Sequence, residues 1–161
     1  MRIVFNYVFL DDELRVNLGW LNSSFSVYLY LCENVTRDLD GELALRGVSL
    51  AHSITLVPRS IVKTPLQLVQ GATHFKLYGH KVTKVKNPGI LLGMLITGMR
   101  QISDFLSTTR TEIEKGEKYY LVAVGTRPGN TQNCKPLKLT DMRNGNLWAL
   151  VKNTKLVLSL T

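Results

Sequence analysis

The side chains that could perform chemistry in this sequence are few and widely separated. The two cysteines are Cys32 and Cys134, and the three histidines are His52, His74 and His80. Cys32 with a histidine could form a nucleophilic pair, but it ends an alternating strand pattern, where a core thiol is the favoured interpretation. The spacing fits neither a disulfide framework nor a zinc site. We therefore expect two free thiols, with a single Cys32–Cys134 bridge as the alternative.

Carboxylates are clustered early and then disappear. The run Asp-Leu-Asp-Gly-Glu from Asp38 to Glu42 faintly resembles a calcium loop, but it lacks the other oxygen ligands and the closing glutamate, so a solvated turn is favoured. No acid lies between Glu42 and Asp104. The sequence also has no phosphate loop, dinucleotide fingerprint, zinc-protease motif or nucleophile elbow. It predicts no catalytic residue, metal, cofactor or small-molecule substrate.

A basic run with interleaved aromatic residues, from Thr73 to Lys86, is the strongest positive signal. If this run is extended, alternate residues share one face, and cations would line that face. Such a strip suits a polyanion, either phosphates or an anionic lipid surface; a solvated or protected edge strand is the alternative. The face would comprise Lys76, Tyr78, His80, Val82, Lys84 and Lys86.

The formal charge of +8 over 161 residues is unevenly distributed. Residues 1–42 hold three arginines and seven acids, residues 43–103 hold eight bases and no acid, and the remainder holds nine bases and five acids. The acidic first quarter suits either neutralisation within the chain or head-to-tail contact between copies. With a second basic cluster in the loop at 125–136, the predicted polyanion-binding residues are Arg59, Lys63, Lys76, His80, Lys81, Lys84, Lys86, Arg127, Lys135 and Lys138.

The elements that must position these residues are mostly strands. Period-2 alternation predicts that residues 24–32 form a strand with one core face and one semi-polar face. The Asn144-Gly145 pair predicts a hairpin turn. Further strands are expected at 3–10, 14–18, 119–124, 137–139, 147–151 and 155–160, with short or edge strands at 43–45, 53–57 and 66–69.

One helix is well marked. Asn87 can cap it, Pro88 suits its first position, and apolar residues recur at helical spacing to about residue 107. Its glycines predict close packing, the alternative being glycines merely tolerated by burial. Residues 108–117 either continue it or form a second helix that ends at Gly116. The expected fold is α+β: one antiparallel, β-rich domain over residues 1–161 with one main buried helix at about 88–107.

The apolar segments are too short to cross a bilayer. The longest, Pro88 to Met99, falls well below the roughly 20 residues required. The first apolar run is followed by Asp11, Asp12 and Glu13 instead of a cleavage site, so it predicts a strand and not a signal peptide. We expect a soluble or peripheral protein in a reducing compartment, such as the cytoplasm.

This plan resembles the matrix proteins of negative-strand RNA viruses, particularly the compact ones of plant rhabdoviruses. The shared features are strands at 3–32, a basic middle at 59–86, a helix from Pro88 and strands from Tyr119 onward. The lysine-rich N-terminal arm and the Pro-Pro-x-Tyr motif of the animal-virus members are absent from the sequence. The resemblance implies self-association, a bridge between nucleocapsid and anionic envelope, and a location in host cytoplasm and virion.

The sequence thus predicts a non-enzymatic assembly protein. It would form a homo-oligomer or polymer and bind a polyanionic surface, either an anionic membrane or a nucleocapsid. An RNA-binding accessory protein, such as a silencing suppressor or nucleocapsid component, is the alternative. An enzyme whose dispersed site joins Cys32 or a histidine to Asp104 or Asp141 is the third possibility.

Overall fold

The strands form one antiparallel sheet in the computed structural model, which describes residues 5–18 and 23–137. The strands are β1 (Phe5–Leu10), β2 (Glu13–Leu18), β3 (Ser23–Cys32), β4 (Ile54–Pro58), β5 (Tyr119–Val124) and β6 (Cys134–Pro136). The helices are α1 (Leu39–Arg46), α2 (Leu66–Tyr78), α3 (Pro88–Thr97) and α4 (Ile102–Glu114). The predicted class, α+β with an antiparallel sheet, is confirmed.

β3 is the central strand because both of its edges are paired. One edge pairs with β5 over Val27–Cys32. The other edge is shared by β2, which pairs with Ser23–Tyr28, and by β6, which pairs with Tyr30–Cys32. β4 lies beyond β5, and β1 lies beyond β2 in a hairpin whose turn is Asp11-Asp12. The predicted strands at 14–18, 24–32, 53–57 and 119–124 are therefore confirmed, as is the part of 3–10 that is described.

Helices cover both faces of the sheet. α2 and α3 pack on one face, where Leu68 and Leu92 share a core with Leu29. α1 and α4 pack on the other face, where Leu43 and Ile113 share a second core with tyrosines of β3 and β5. The semi-polar face predicted for residues 24–32 is confirmed only at its start, where Ser24 is exposed and Ser26 is half-buried. Tyr28, Tyr30 and Cys32 on the same face are buried in the core that α1 and α4 share.

The predicted helix at 88–107 is two helices. It begins as expected, with Asn87 at the N-cap and Pro88 at the first position. It then ends at Gly98, which adopts a left-handed conformation with φ of 81° and donates its N–H to Met94. α4 begins four residues later, and Gly116 follows its end at φ of 90°.

Two predicted strands are helices. The segment expected as a short strand at 43–45 lies in α1, where Asp38 caps the helix by accepting from the Gly41 N–H at 2.9 Å. The strand predicted at 66–69 lies in α2, and so does the first part of the run from Thr73, which continues beyond Tyr78 as a 3-10 turn and a loop. The apolar residues of α2, which include Leu68, Val69 and Ala72, follow helical spacing and face the sheet.

Close packing at the helical glycines is confirmed at two positions. A Cβ on Gly93 would collide with the ring of Phe105, so α3 and α4 approach closely there. A Cβ on Gly89 would collide with the carbonyls of Leu50 and Ile54, and the Gly89 N–H donates to the Leu50 carbonyl at 2.8 Å.

Cys32 and Cys134 are joined by a disulfide bond. β6 returns antiparallel to β3 and places the two cysteines directly opposite each other, with Cα atoms 4.0 Å apart. The expectation of two free thiols is wrong. The pairing depends on where β6 docks, so a separation of 102 residues gave no local signal for it.

Several expected elements lie outside the described residues. These are the strand at 137–139 beyond Leu137, the Asn144-Gly145 hairpin, the strands at 147–151 and 155–160, and the site residue Lys138.

Candidate polyanion-binding site

Residues 76–86, the basic segment, connect α2 to α3. The segment comprises the end of α2, a 3-10 turn at Gly79–Lys81 and the loop that leads to Asn87. It is not extended, so the single cationic face predicted by parity is wrong. Its five basic side chains are nevertheless all exposed: Lys76, His80, Lys81, Lys84 and Lys86.

Two valines anchor the basic segment. Val82 and Val85 are buried in a third apolar cluster, together with Leu91 and Met94 of α3 and Phe105 of α4. The residues around them in the loop point to solvent, so the chain alternates between buried valines and exposed lysines. Because Val82 and Val85 are packed in this cluster, the backbone that carries the lysines is held in place.

A cleft of about 410 Å³ lies along the basic segment; we call it the first cleft. Three cationic or titratable side chains line it, and none of its lining residues is acidic. Phe75, Val82, Val85, Leu91 and Pro88 provide an apolar wall. The cationic and titratable residues are Lys76, His80 and Lys86.

The second cleft, of about 530 Å³, shares the lining residues Ser53 and Pro88 with the first. His52 and Arg127 line it, again without an acidic residue. The two clefts therefore adjoin at Ser53 and Pro88, and we refer to the pair as the groove. The guanidinium of Arg127 also lies over the ring of Tyr28, with Cζ 5.2 Å from the ring centre.

None of the ion pairs among the described residues includes a side chain of the basic segment. The acids of the first quarter pair mainly with bases that follow residue 103, as in Asp12–Arg127 at 3.3 Å and Glu33–Lys118 at 3.1 Å. Among the described residues, the acid-free span contributes one member to an ion pair, Arg59, which lies 3.2 Å from Glu117. This pattern supports neutralisation within the chain as the role of the acidic quarter. The described lysines of the predicted site make no ion pair within that part of the chain: Lys63, Lys76, Lys81, Lys84, Lys86 and Lys135.

The structure does not bring all of the predicted site residues together. Lys63 precedes α2 and Lys76 lies near its end, so the 13 residues of α2 separate Arg59 and Lys63 from the first cleft by about 20 Å. Arg127 lines the second cleft, while Lys135 lies on β6.

A buried charged network was missed by the sequence analysis. Glu42 and Arg46 are completely buried, and the Tyr119 hydroxyl links them: it accepts from Arg46 Nε at 2.8 Å and donates to Glu42 Oε1 at 3.0 Å. Arg46 also donates to the carbonyls of Glu33 and Gln132. The solvated turn expected at 38–42 is therefore wrong. In the sequence, the one indication of this network was the i,i+4 spacing of Glu42 and Arg46, which places both side chains on the same face of a helix.

The network holds Glu42 ionised. Burial by itself raises the pKa of Glu42, but hydrogen bonds from the Thr36 hydroxyl and N–H, the Val35 N–H and Tyr119 outweigh it, so the pKa lies below its usual value. Burial raises the pKa of Tyr119 to about 12. A carboxylate that is buried and fully engaged in this way has no room for a substrate, so we assign the network a structural role.

The chemical alternatives have little support in the described residues. Cys32 carries no free thiol because it is bonded to Cys134. Within residues 5–18 and 23–137, no group of three or more His, Cys, Asp or Glu side chains could hold a metal ion. None of the helices in these ranges has both the length and the apolar character needed to cross a bilayer.

No protein-family model matches the chain, and no curated protein matches it in sequence. Its function is therefore inferred from its own residues.

Proposed function

We propose that this chain is a non-enzymatic structural protein that binds a polyanionic surface through the basic segment. The observation that carries the proposal is the set of exposed lysines in this segment that no acid neutralises within the described residues. Isolated surface cations keep a protein soluble. Five basic side chains within eleven residues, beside an acid-free groove, instead produce a local positive potential that attracts a polyanion.

The affinity of the basic segment for a polyanion should depend on the number of its lysines more than on the geometry of any one contact. A lysine contacts phosphate as a point charge and carries little sequence information. Binding by one copy should therefore be weak and strongly salt-dependent. Several copies that bind the same polyanion gain affinity through effective concentration. This favours a self-associating, matrix-like protein on a nucleocapsid or an anionic membrane.

An RNA-binding accessory protein is the second candidate. The observation that favours it is the groove itself, because a recessed cationic surface whose apolar wall includes Phe75 suits a flexible strand better than a flat surface does.

Charge reversal tests the proposal. The basic-segment variant replaces Lys76, Lys81, Lys84 and Lys86 with Glu. The matched control variant replaces four exposed bases outside the segment, none of which makes an ion pair within the described residues, with Glu: Arg37, Lys63, Arg100 and Lys135. Lys63 and Lys135 belong to the wider set predicted from the sequence but line neither cleft, so this variant also tests whether binding extends beyond the basic segment.

Both variants are compared with the wild type in two assays at low salt: sedimentation with anionic or neutral liposomes, and filter binding of RNA. We expect the basic-segment variant to lose binding in at least one assay while the control variant retains most of it. Equal losses in the two variants would show that net charge alone matters and would overturn the proposal. A wild type that binds neither polyanion would also overturn it.

Self-association is measured separately by light scattering after gel filtration, with and without the polyanion. The proposal expects species larger than a monomer in the presence of the polyanion. A strictly monomeric protein in both conditions would contradict the assembly role.

A further inference from the structure

We infer that the polyanion is a single strand of nucleic acid and that it lies in the groove formed by the two clefts. This inference rests on the proposed function and identifies its ligand. Phosphates would contact Lys76 and Lys86 at the first cleft, and a base would occupy that cleft against Phe75 and His80. At the second cleft a phosphate would replace Asp12 as the partner of Arg127.

The shape of the site favours a single strand. Each cleft, at about 410 and 530 Å³, falls within the volume range of pockets that enclose a small ligand. The clefts adjoin at Ser53 and Pro88, so one extended strand is long enough to contact both. A duplex is too wide to enter a small cleft, whereas an unpaired strand can place a base in each.

The lining of the first cleft combines the two groups that such a strand needs. Phe75 and His80 offer planar faces on which a base can stack, and Val85 and Leu91 extend the apolar wall. Lys76 and Lys86 lie at the same cleft and are free to meet phosphates. Stacking platforms in a positively charged groove are the common design of proteins that bind single strands without sequence preference.

The same segment lacks what a membrane would require beyond charge. Peripheral attachment commonly adds apolar side chains that enter the bilayer. The two valines of the basic segment are buried, and its aliphatic and aromatic residues Leu77 and Tyr78 are half-buried. Among the described residues, the exposed large hydrophobic residues all lie elsewhere: Leu10, Val35, Leu45 and Ile102.

Filling the first cleft tests the inference without removing a charge. Gly79 lines this cleft, and a Cβ on it would make ordinary contacts of 3.5 Å with Phe75 and 3.8 Å with Leu91. Gly79→Met therefore places a side chain at the cleft on an unstrained backbone. Thr83→Met is the matched control, because Thr83 is exposed in the same segment and lies outside both clefts.

The probe is a fluorescently labelled oligouridylate of eight nucleotides, measured by anisotropy at low salt. We expect Gly79→Met to weaken its binding by about tenfold, since one stacked base is lost, and Thr83→Met to leave it unchanged. An abasic oligomer of the same length should bind the wild type about tenfold more weakly than oligouridylate. A duplex of the same length should also bind more weakly.

Unchanged binding of oligouridylate by a folded Gly79→Met variant would overturn the inference. If circular dichroism shows that this variant is unfolded, His80→Ala replaces it, because the exposed imidazole can be removed without disturbing the core, and the same weakening is expected. Equal affinity for the abasic oligomer would also overturn it. Lysine-dependent binding to anionic liposomes without binding to oligouridylate would refute the inference and leave the proposed function standing; binding to neither would refute both.

Discussion

Charged side chains are used in opposite ways by two regions of this protein. In the buried network, Glu42 and Arg46 are removed from water and every interaction is made within the chain. In the basic segment, the lysines are exposed and make no ion pair among the described residues. The difference teaches that charge in a sequence is informative only with its environment: a satisfied buried charge holds the fold, and an unsatisfied exposed one is available to a ligand.

The largest effect should come from breaking the buried network. Arg46→Met would remove the buried cation and leave the Tyr119 hydroxyl and the carbonyls of Glu33 and Gln132 without this donor, which costs about 3–5 kcal/mol of unfolding free energy. Arg37→Met is the control, because Arg37 is exposed, and it should change the free energy by no more than about 0.5 kcal/mol. Urea denaturation measures both. If the two variants have similar stabilities, the buried network does not stabilise the fold more than an exposed arginine does, and the proposed difference between the two regions is contradicted.

Removal of the disulfide should cause the next largest loss of unfolding free energy. It ties β6 to β3, beside the loop whose Gln132 carbonyl accepts from Arg46. Cys134→Ser should lower the unfolding free energy by about 2–4 kcal/mol under oxidising conditions. A reductant should lower the stability of the wild type by a similar amount and leave that of the variant unchanged. A wild type whose stability does not respond to reductant would contradict this role.

A smaller effect should appear as a pH dependence of stability. The folded state lowers the pKa of Glu42, so its contribution is present above the usual carboxyl value of 4.5 and is lost as the pH falls below it. The folded state raises the pKa of Tyr119 to about 12, so that contribution is lost as the pH rises from 10 to about 12.

Urea denaturation at a series of pH values tests the acid limb. Glu42→Gln should have a shallower loss of stability between pH 5 and pH 3 than the wild type. Parallel profiles would show that Glu42 is not held ionised in the folded protein.

The smallest effect on stability should come from the basic segment. Lys84→Ala removes an exposed side chain with no ion pair in the described part of the chain, so the unfolding free energy should change by no more than about 0.5 kcal/mol. Urea denaturation of this variant completes the comparison. A loss comparable to that of Arg46→Met would mean that the lysines are structural.

Local patterns in the sequence were sufficient for much of the fold. Alternation identified the strand at 24–32, a run of β-favouring residues identified the strand at 119–124, and Asn87-Pro88 identified the start of α3. These signals act over a few residues. α2 was missed because its apolar residues at 66–69 form a short run that suits strand and helix equally.

The sequence alone was sufficient to predict the positive charge of the site but not the shape of the groove beside it. The absence of acids between Glu42 and Asp104 identified the basic segment, because a count of charge needs no structure. The groove required the docking of Pro88 and Ser53 from distant parts of the chain. The disulfide joins residues that are far apart in sequence, so no local pattern could reveal it. The buried network had one local signal, the i,i+4 spacing of Glu42 and Arg46, but its link through Tyr119, 73 residues from Arg46, had none.

The salt dependence of RNA binding tests the central claim most directly. For single strands, log K falls with log salt concentration with a slope of about −0.7 for each phosphate neutralised. Replacing the four lysines of the basic-segment variant with Gln should therefore reduce the slope by about 3, while Gln at the four positions of the control variant should leave it nearly unchanged. Equal slopes in the two Gln variants would contradict the claim that the basic segment carries the cations that bind.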